Sequence, residues 1–336
     1  MLFAFFFRQE FDFSFLPDYV TLPGGIFMDR FVVKMACAGF LSGLLLLTGC
    51  GKKEFSLPES LKNADKEKGI YFAEKSVSFG DRYSGSENIR KYGDWIIKEL
   101  KKFPGMEVEE EVFSCDTPTG NISFRNIIGK ISGKSQDHVI VGAHYDTKRF
   151  STFPFAGAND GASGTAALLL IADTLGKIQE KLPYTLHLVF FDGEECQEDY
   201  GENDGLHGSK YHAANLHKRK GKCKGMILLD MVGDKELCIT PPKNSHSSLV
   251  ALFEKAVESM DKNSLKGRYN GAILDDHVPF LEKNIPAVDL IDFSYGENNV
   301  YWHSPEDTMD KISGESIAFA SDVTIRMLYN MKNTGL

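Results

Sequence analysis

Five separated segments of this 336-residue chain carry histidine and carboxylate side chains that could converge on one point. They are His144-Tyr145-Asp146, Gly157-Ala158-Asn159-Asp160-Gly161, Asp192-Gly193-Glu194-Glu195, Asp230-Met231-Val232-Gly233 and Trp302-His303. The imidazoles of His144 and His303 with the carboxylates of Asp160, Glu195 and Asp230 form a ligand set for Zn²⁺, which accepts His nitrogen and Asp or Glu oxygen. Asp146, two residues beyond His144, is expected to orient that imidazole. The Glu pair has a natural division of labour, one carboxylate on the metal and its neighbour free as a general acid or base. Singly, each residue has an ordinary structural role: Asp160 could cap a helix, Asp230 a turn, and the Glu pair could be solvated surface. Their combination is what points to a metal. Other catalytic layouts fit worse. There is no His-Glu-x-x-His, Gly161-Ala162-Ser163-Gly164-Thr165 lacks the last Gly of a nucleophile elbow, and no Gly-rich phosphate loop is present. Cys196 has no His/Asn constellation and reads as a buried structural thiol.

Such convergence needs a sheet. Short β-rich runs at 126–131, 139–143, 186–191, 226–229 and Ala287–Ile291 are apolar on successive residues, as strands covered on both faces are. Between them, Ile89, Tyr92, Ile96, Leu100 and Phe103 recur at helical spacing. Residues 166–178 read as a buried helix, 249–260 as an amphipathic one and 317–331 as a closing helix. Strands alternating with helices predict an α/β fold, a three-layer sandwich around a mostly parallel or mixed sheet. In such sheets ligands collect at the carboxyl ends of strands, where the polar segments lie.

The balance of 38 Lys+Arg against 47 Asp+Glu gives a net charge of −9, which excludes a general nucleic-acid binder. Six cysteines are too few for a disulfide framework, and pairing among Cys115, Cys196, Cys223 and Cys238 stays open. Near the start, Arg30 and Lys34 flank an apolar run, 35–47, too short to span a bilayer but suited to a signal peptide. It ends in Leu47-Thr48-Gly49-Cys50, which resembles the bacterial lipobox and implies lipidation at Cys50, a membrane anchor and a place in the bacterial cell envelope. Residues 1–27 are Phe-rich with no helical or strand period, and translation is expected to begin at Met28. Residues 1–49 are therefore expected to be leader and signal, 50–68 a tether, and 69–336 one zinc-dependent domain.

From about Phe79 onward the motifs, their order and their spacing resemble metallopeptidase family 28, the zinc aminopeptidases and their relatives. The carrying segments are those above, with Phe190-Phe191-Asp192-Gly193-Glu194-Glu195 and Gly208-Ser209. The family's two-zinc pattern implies His144 and Asp230 on one ion, Glu195 and His303 on the other, Asp160 as the bridge and Glu194 as the base. Within that family, the chain is most similar to glutaminyl-peptide cyclotransferases, through His144-Tyr145-Asp146-Thr147-Lys148-Arg149-Phe150, Gly267-Arg268-Tyr269, Asp275-Asp276-His277-Val278-Pro279-Phe280-Leu281 and Tyr301-Trp302-His303. That likeness implies one zinc held by Asp160, Glu195 and His303, with Glu194 moving the proton. Asp230 and Asp275 would hold the substrate amine and Trp302 would wall the substrate. Two positions depart from the pattern: Tyr200 stands where the animal enzymes carry Trp, and Asp289 where they carry a pocket His.

The resemblance implies, first, cyclisation of an N-terminal Gln to pyroglutamate with release of ammonia. Second is hydrolytic removal of N-terminal residues with two zinc ions and Glu194 as base. A third possibility is a surface lipoprotein that binds peptides on the same scaffold. In the distinguishing residues, Trp302 could equally be a core aromatic, Asp275-Asp276 a helix start and Tyr200 loop packing.

Overall fold

The computed structural model describes residues 19–22, 26–29, 64–178, 181–267 and 269–331. The chain divides into two units, Met1–Ser56 and Leu57–Leu336. In the first, β1 (Tyr19–Leu22) and β2 (Ile26–Asp29) pair antiparallel. Periodicity in the sequence passes over this pair. Cys50 and the apolar run before it lie outside the described residues.

The second unit is built on a mixed six-stranded sheet in the order β3-β4-β6-β5-β7-β8. Its strands are β3 (Met106–Thr117), β4 (Gly120–Ile131), β5 (His138–His144), β6 (Thr185–Phe191), β7 (Cys223–Asp230) and β8 (Ala287–Ile291). β6, β5, β7 and β8 run parallel, while β3 and β4 add an antiparallel edge. β5 and β6 are buried at every residue, which is why their sequences show no polar alternation.

The helices are α1 (Lys66–Val77), α2 (Glu87–Leu100), α3 (Ala162–Gly176), α4 (His207–Asn215), α5 (Ser247–Ser259), α6 (Val278–Leu281) and α7 (Gly314–Met331). α3 packs against α1, α7 and the sheet. The other face is closed by Ala213 of α4 and Phe280 of α6 over Ile140, Val189, Met226 and Leu228. The result is the expected α/β sandwich.

Several bounds differ from the sequence expectation. α1 takes in Lys66–Lys68 of the expected tether, with Asp65 accepting from the N–H groups of Glu67 and Lys68. α2 stops at Leu100 and leaves Phe103 in the following turn. β3 went unread because Glu107, Glu109, Glu110 and Glu111 break any apolar alternation, as befits an edge strand. Cys115, Cys196, Cys223 and Cys238 are all free thiols.

Candidate active site

His144 is the last residue of β5 and Asp230 the last of β7, while Glu194 and Glu195 follow β6 by a few residues. The parallel register therefore delivers three of the five segments to one sheet edge. Asp160 arrives from the loop before α3, and His303 from the loop after β8. Gly161, not Asp160, is the N-cap of α3, so the ordinary capping role is excluded. Gly161 holds φ 96°, and a Cβ there would lie 2.5 Å from the Asp146 carbonyl oxygen. Only glycine lets this loop press Asp160 against the end of β5.

The Asp160 carboxylate sits between the two imidazoles. Its Oδ1 is 3.3 Å from His144 Nε2 and its Oδ2 3.4 Å from His303 Nε2. Asp230 Oδ1 lies 3.1 Å from His144 Nε2, and Glu195 Oε1 lies 3.0 Å from His303 Nε2. The potential ligand atoms of His144, Asp160 and Asp230 fall within 4.8 Å of one another, as do those of Asp160, Glu195 and His303. Asp160 is common to both groups, and Asp160 Oδ2 and Glu195 Oε2 are buried without a hydrogen-bond partner among the described residues. Orphaned buried oxygens facing imidazole nitrogens are what a cation requires, and this donor set suits zinc.

The electrostatics agree. Burial alone would lower both imidazoles, but Asp146, Asp160 and Asp230 outweigh it at His144 and hold it well above its usual range. Glu195 and Asp160 do the same at His303, raising it to about 10. Burial and the adjacent Glu195 push Glu194 well above the carboxylate range, and burial raises Asp230 as well. His303 (φ 54°) and Met231 (φ 47°) hold left-handed backbone. Such strain costs about 1–3 kcal/mol per residue and collects at functional sites.

Asp146 has a task beyond the one expected. Its Oδ1 is 3.6 Å from His144 Nδ1, an ion-pair approach longer than a direct hydrogen bond, and it helps raise that imidazole. Its two oxygens also accept from the backbone N–H groups of Glu194 and Glu195, 3.2 Å each. Sequence reasoning also missed Asp307, whose carboxylate accepts from Asn159 N (2.8 Å), Asp160 N (3.1 Å) and Tyr295 OH (2.8 Å). In the sequence it reads as one more acid in a polar turn.

Of the expected substrate residues, Trp302 is 37% exposed. It stacks on His303 with ring centroids 4.0 Å apart and meets Phe293 at 5.2 Å, so it is a mouth residue rather than core. Tyr200 directs its hydroxyl to both oxygens of Glu194, at 3.0 and 3.2 Å. Asp275 precedes α6 and is buried, its Oδ2 without a hydrogen-bond partner among the described residues; burial, then Asp289, Asp230 and Glu194, raise it well above the carboxylate range. Asp289, on β8, has no exposed surface and meets Asp275 and His277 rather than the mouth.

The Asp275, His277 and Asp289 group does not suit a second metal site. Asn244 Oδ1 accepts from Ile273 N and its Nδ2 donates to Ile273 O, which fixes the amide. Nδ2 then donates to His277 Nε2 at 3.0 Å, so a neutral His277 carries its proton on Nδ1, the nitrogen that would have to bind.

The family model "Peptidase family M28" matches residues 126–328, more than half of the chain. The chain belongs to peptidase family M28. It is 30% identical over 257 residues to the mouse "Glutaminyl-peptide cyclotransferase-like protein", an alignment that covers 67% of this chain and 64% of that protein. Its fold is similar to that of glutaminyl cyclase from an Acidobacteriales bacterium, with TM-score 0.77 and 28% identity over 83% of this chain and 99% of the other. A Zn-dependent exopeptidase from Parabacteroides distasonis is similar too, with TM-score 0.71 and 26% identity over 80% of this chain and 99% of the other. The M28 match takes in His144, Asp160, Glu194, Glu195, Asp230 and His303, so the two groups of candidate ligands lie wholly within it.

Proposed function

We propose that this M28 protein is a zinc-dependent glutaminyl-peptide cyclotransferase that converts the N-terminal Gln of peptides to pyroglutamate. The observation that carries the reading is the wall of Trp302 stacked on the candidate ligand His303, beside the buried acids Glu194, Asp230 and Asp275. Such a set of groups suits a short side chain bearing a carboxamide next to a free amine. The similarity to glutaminyl cyclases supports it.

Asp160, Glu195 and His303 would hold the zinc, which when bound supplies a Lewis acid for the γ-carboxamide carbonyl. Asp230 and Asp275 hold the α-amine by hydrogen bonds, their raised proton affinity leaving a carbonyl oxygen to accept from it. Glu194 takes a proton from that amine as its nitrogen bonds to the side-chain carbonyl carbon. It then returns the proton to the amide nitrogen, whose bond to that carbon breaks to release ammonia. A raised proton affinity at Glu194 suits both halves of this transfer. Trp302 packs on the substrate and keeps water from the mouth. By the lipobox reading, Cys50 carries a lipid that anchors the protein in the bacterial envelope.

A second reading has a specific observation behind it. Asp160 faces both imidazoles, and the set completed by His144 and Asp230 could hold a second ion, as a hydrolytic aminopeptidase would need. Zinc titration separates the two. Ammonia release from a Gln-initiated peptide should reach its plateau at one equivalent of zinc. A requirement for two equivalents, with free amino acid as product, favours hydrolysis.

A further inference from the structure

Tyr200 does more than line the mouth. Among the described residues its hydroxyl is the one side-chain hydrogen-bond donor to the Glu194 carboxylate, nearly equidistant from the two oxygens at 3.0 and 3.2 Å. The hydroxyl is fixed in space independently of Glu194, because the loop that carries it is braced on every side. Lys148 Nζ donates to Cys196 O at 2.7 Å at the loop's start, and Leu206 N donates to Glu194 O at 2.8 Å at its end. The Asp204 carboxylate accepts from Gln197 N and Glu198 N, at 2.6 and 2.8 Å. Lys210 Nζ donates to the carbonyls of Gly201 and Gly205, at 2.8 and 2.9 Å. The ring itself rests on Gly205, at φ 77°, where a Cβ would lie 2.5 Å from Tyr200 Cδ1. Lys148 Nζ stands 5.8 Å from the ring centroid.

We infer that Tyr200 is a positioning residue for Glu194: its hydroxyl locks the carboxylate in one orientation and leaves either oxygen free to carry the proton. The inference rests on the reading of Glu194 as the base. A glutamate has three side-chain torsions. Glu195 has His303 to restrain its end, while among the described residues Glu194 has only this hydroxyl. As Glu194 takes a proton on one oxygen, the hydroxyl stays on the other, so the base does not swing out of line during transfer. A phenylalanine at this position would supply a similar wall and no donor. The aromatic ring therefore serves binding, and the oxygen serves the chemical step.

The test compares Tyr200→Phe and Tyr200→Leu in the zinc-loaded protein. The Phe variant keeps its zinc and holds KM within about three-fold, while kcat falls about ten-fold or more, a fraction of what a positioned base is worth. The Leu variant loses kcat and raises KM as well. A Tyr200→Phe protein with wild-type kcat overturns the inference. If wild type releases free amino acid instead of pyroglutamate, the cyclotransferase reading fails, and the same comparison is made on the hydrolytic kcat. Crystallography of Tyr200→Phe gives a readout that needs no turnover. The Glu194 carboxylate should occupy more than one orientation, and a single unchanged orientation contradicts the role.

Discussion

Glu194 and Glu195 are neighbours in sequence whose backbone N–H groups share one acceptor, the Asp146 carboxylate at 3.2 Å from each, yet their side chains serve different partners. Glu195 meets His303, and Glu194 meets the Tyr200 hydroxyl. One buried acid thus aims two carboxylates at once, one into the ligand set and one free of it. Glu194→Gln keeps shape and burial and removes only the proton-carrying function. It should retain zinc at the wild-type ratio while kcat falls by about 10²-fold or more. Metal analysis beside a steady-state assay checks both halves, and a variant keeping most of its activity would contradict the assignment.

Asp307 is predicted to matter without touching the metal. It holds the backbone of Asn159 and Asp160, and so sets where the Asp160 carboxylate points. Asp307→Asn should weaken zinc binding by about 10–100-fold, as loss of an outer support typically does. Asp160→Ala should abolish binding. Competition with a chelator of known affinity measures both.

Zinc binding should be strongly pH-dependent. In the metal-free protein Glu195 and Asp160 hold the His303 proton up to about 10. His144 is likewise raised. The metal must displace those protons at neutral pH, so binding releases protons and affinity falls as pH falls. Between about pH 8 and pH 6 the affinity should drop about ten-fold per unit for each proton released. Calorimetry in two buffers of different ionisation heat counts the protons; a pH-independent affinity would be inconsistent with this geometry.

Far from the site, His138 and His187 stack at the start of the central strands with centroids 4.5 Å apart. Burial pushes His138 from 6.5 down to about 4 and His187 down to about 2, and neither His138 nitrogen has a hydrogen-bond partner among the described residues. Their folded values lie below the unfolded ones, so the unfolded chain binds protons first. Their contribution to stability is intact above about pH 6.5 and is lost as pH falls, by about 1.4 kcal/mol per unit for each ring. Replacing both with Phe should flatten the drop in Tm between about pH 7 and pH 5. An unchanged drop would show that other groups control acid unfolding.

The candidate ligand set is legible in the sequence because its members end a strand or lie in the loop after one, and parallel strands end on one edge. His144, Asp160, Glu195, Asp230 and His303 come together as expected, and the buried strands were visible as unbroken apolar runs. What escaped has a common cause. β3 is an edge strand whose glutamates carry no period, and Asp307 acts through backbone N–H groups that no spacing reveals. Asp146 does lie beside His144, as their spacing suggests, but sequence proximity says nothing of the Glu194 and Glu195 N–H groups that its oxygens also reach. The role of the Tyr200 hydroxyl depends on where the Glu194 oxygens lie, which no spacing reveals.

The most direct measurement is mass spectrometry of a Gln-initiated peptide after incubation with the zinc-loaded protein. Cyclisation predicts an intact peptide lighter by one ammonia, formed by wild type and not by Glu194→Gln. Release of free Gln, with a peptide shortened by one residue, would contradict that account and make the protein a hydrolytic member of its family.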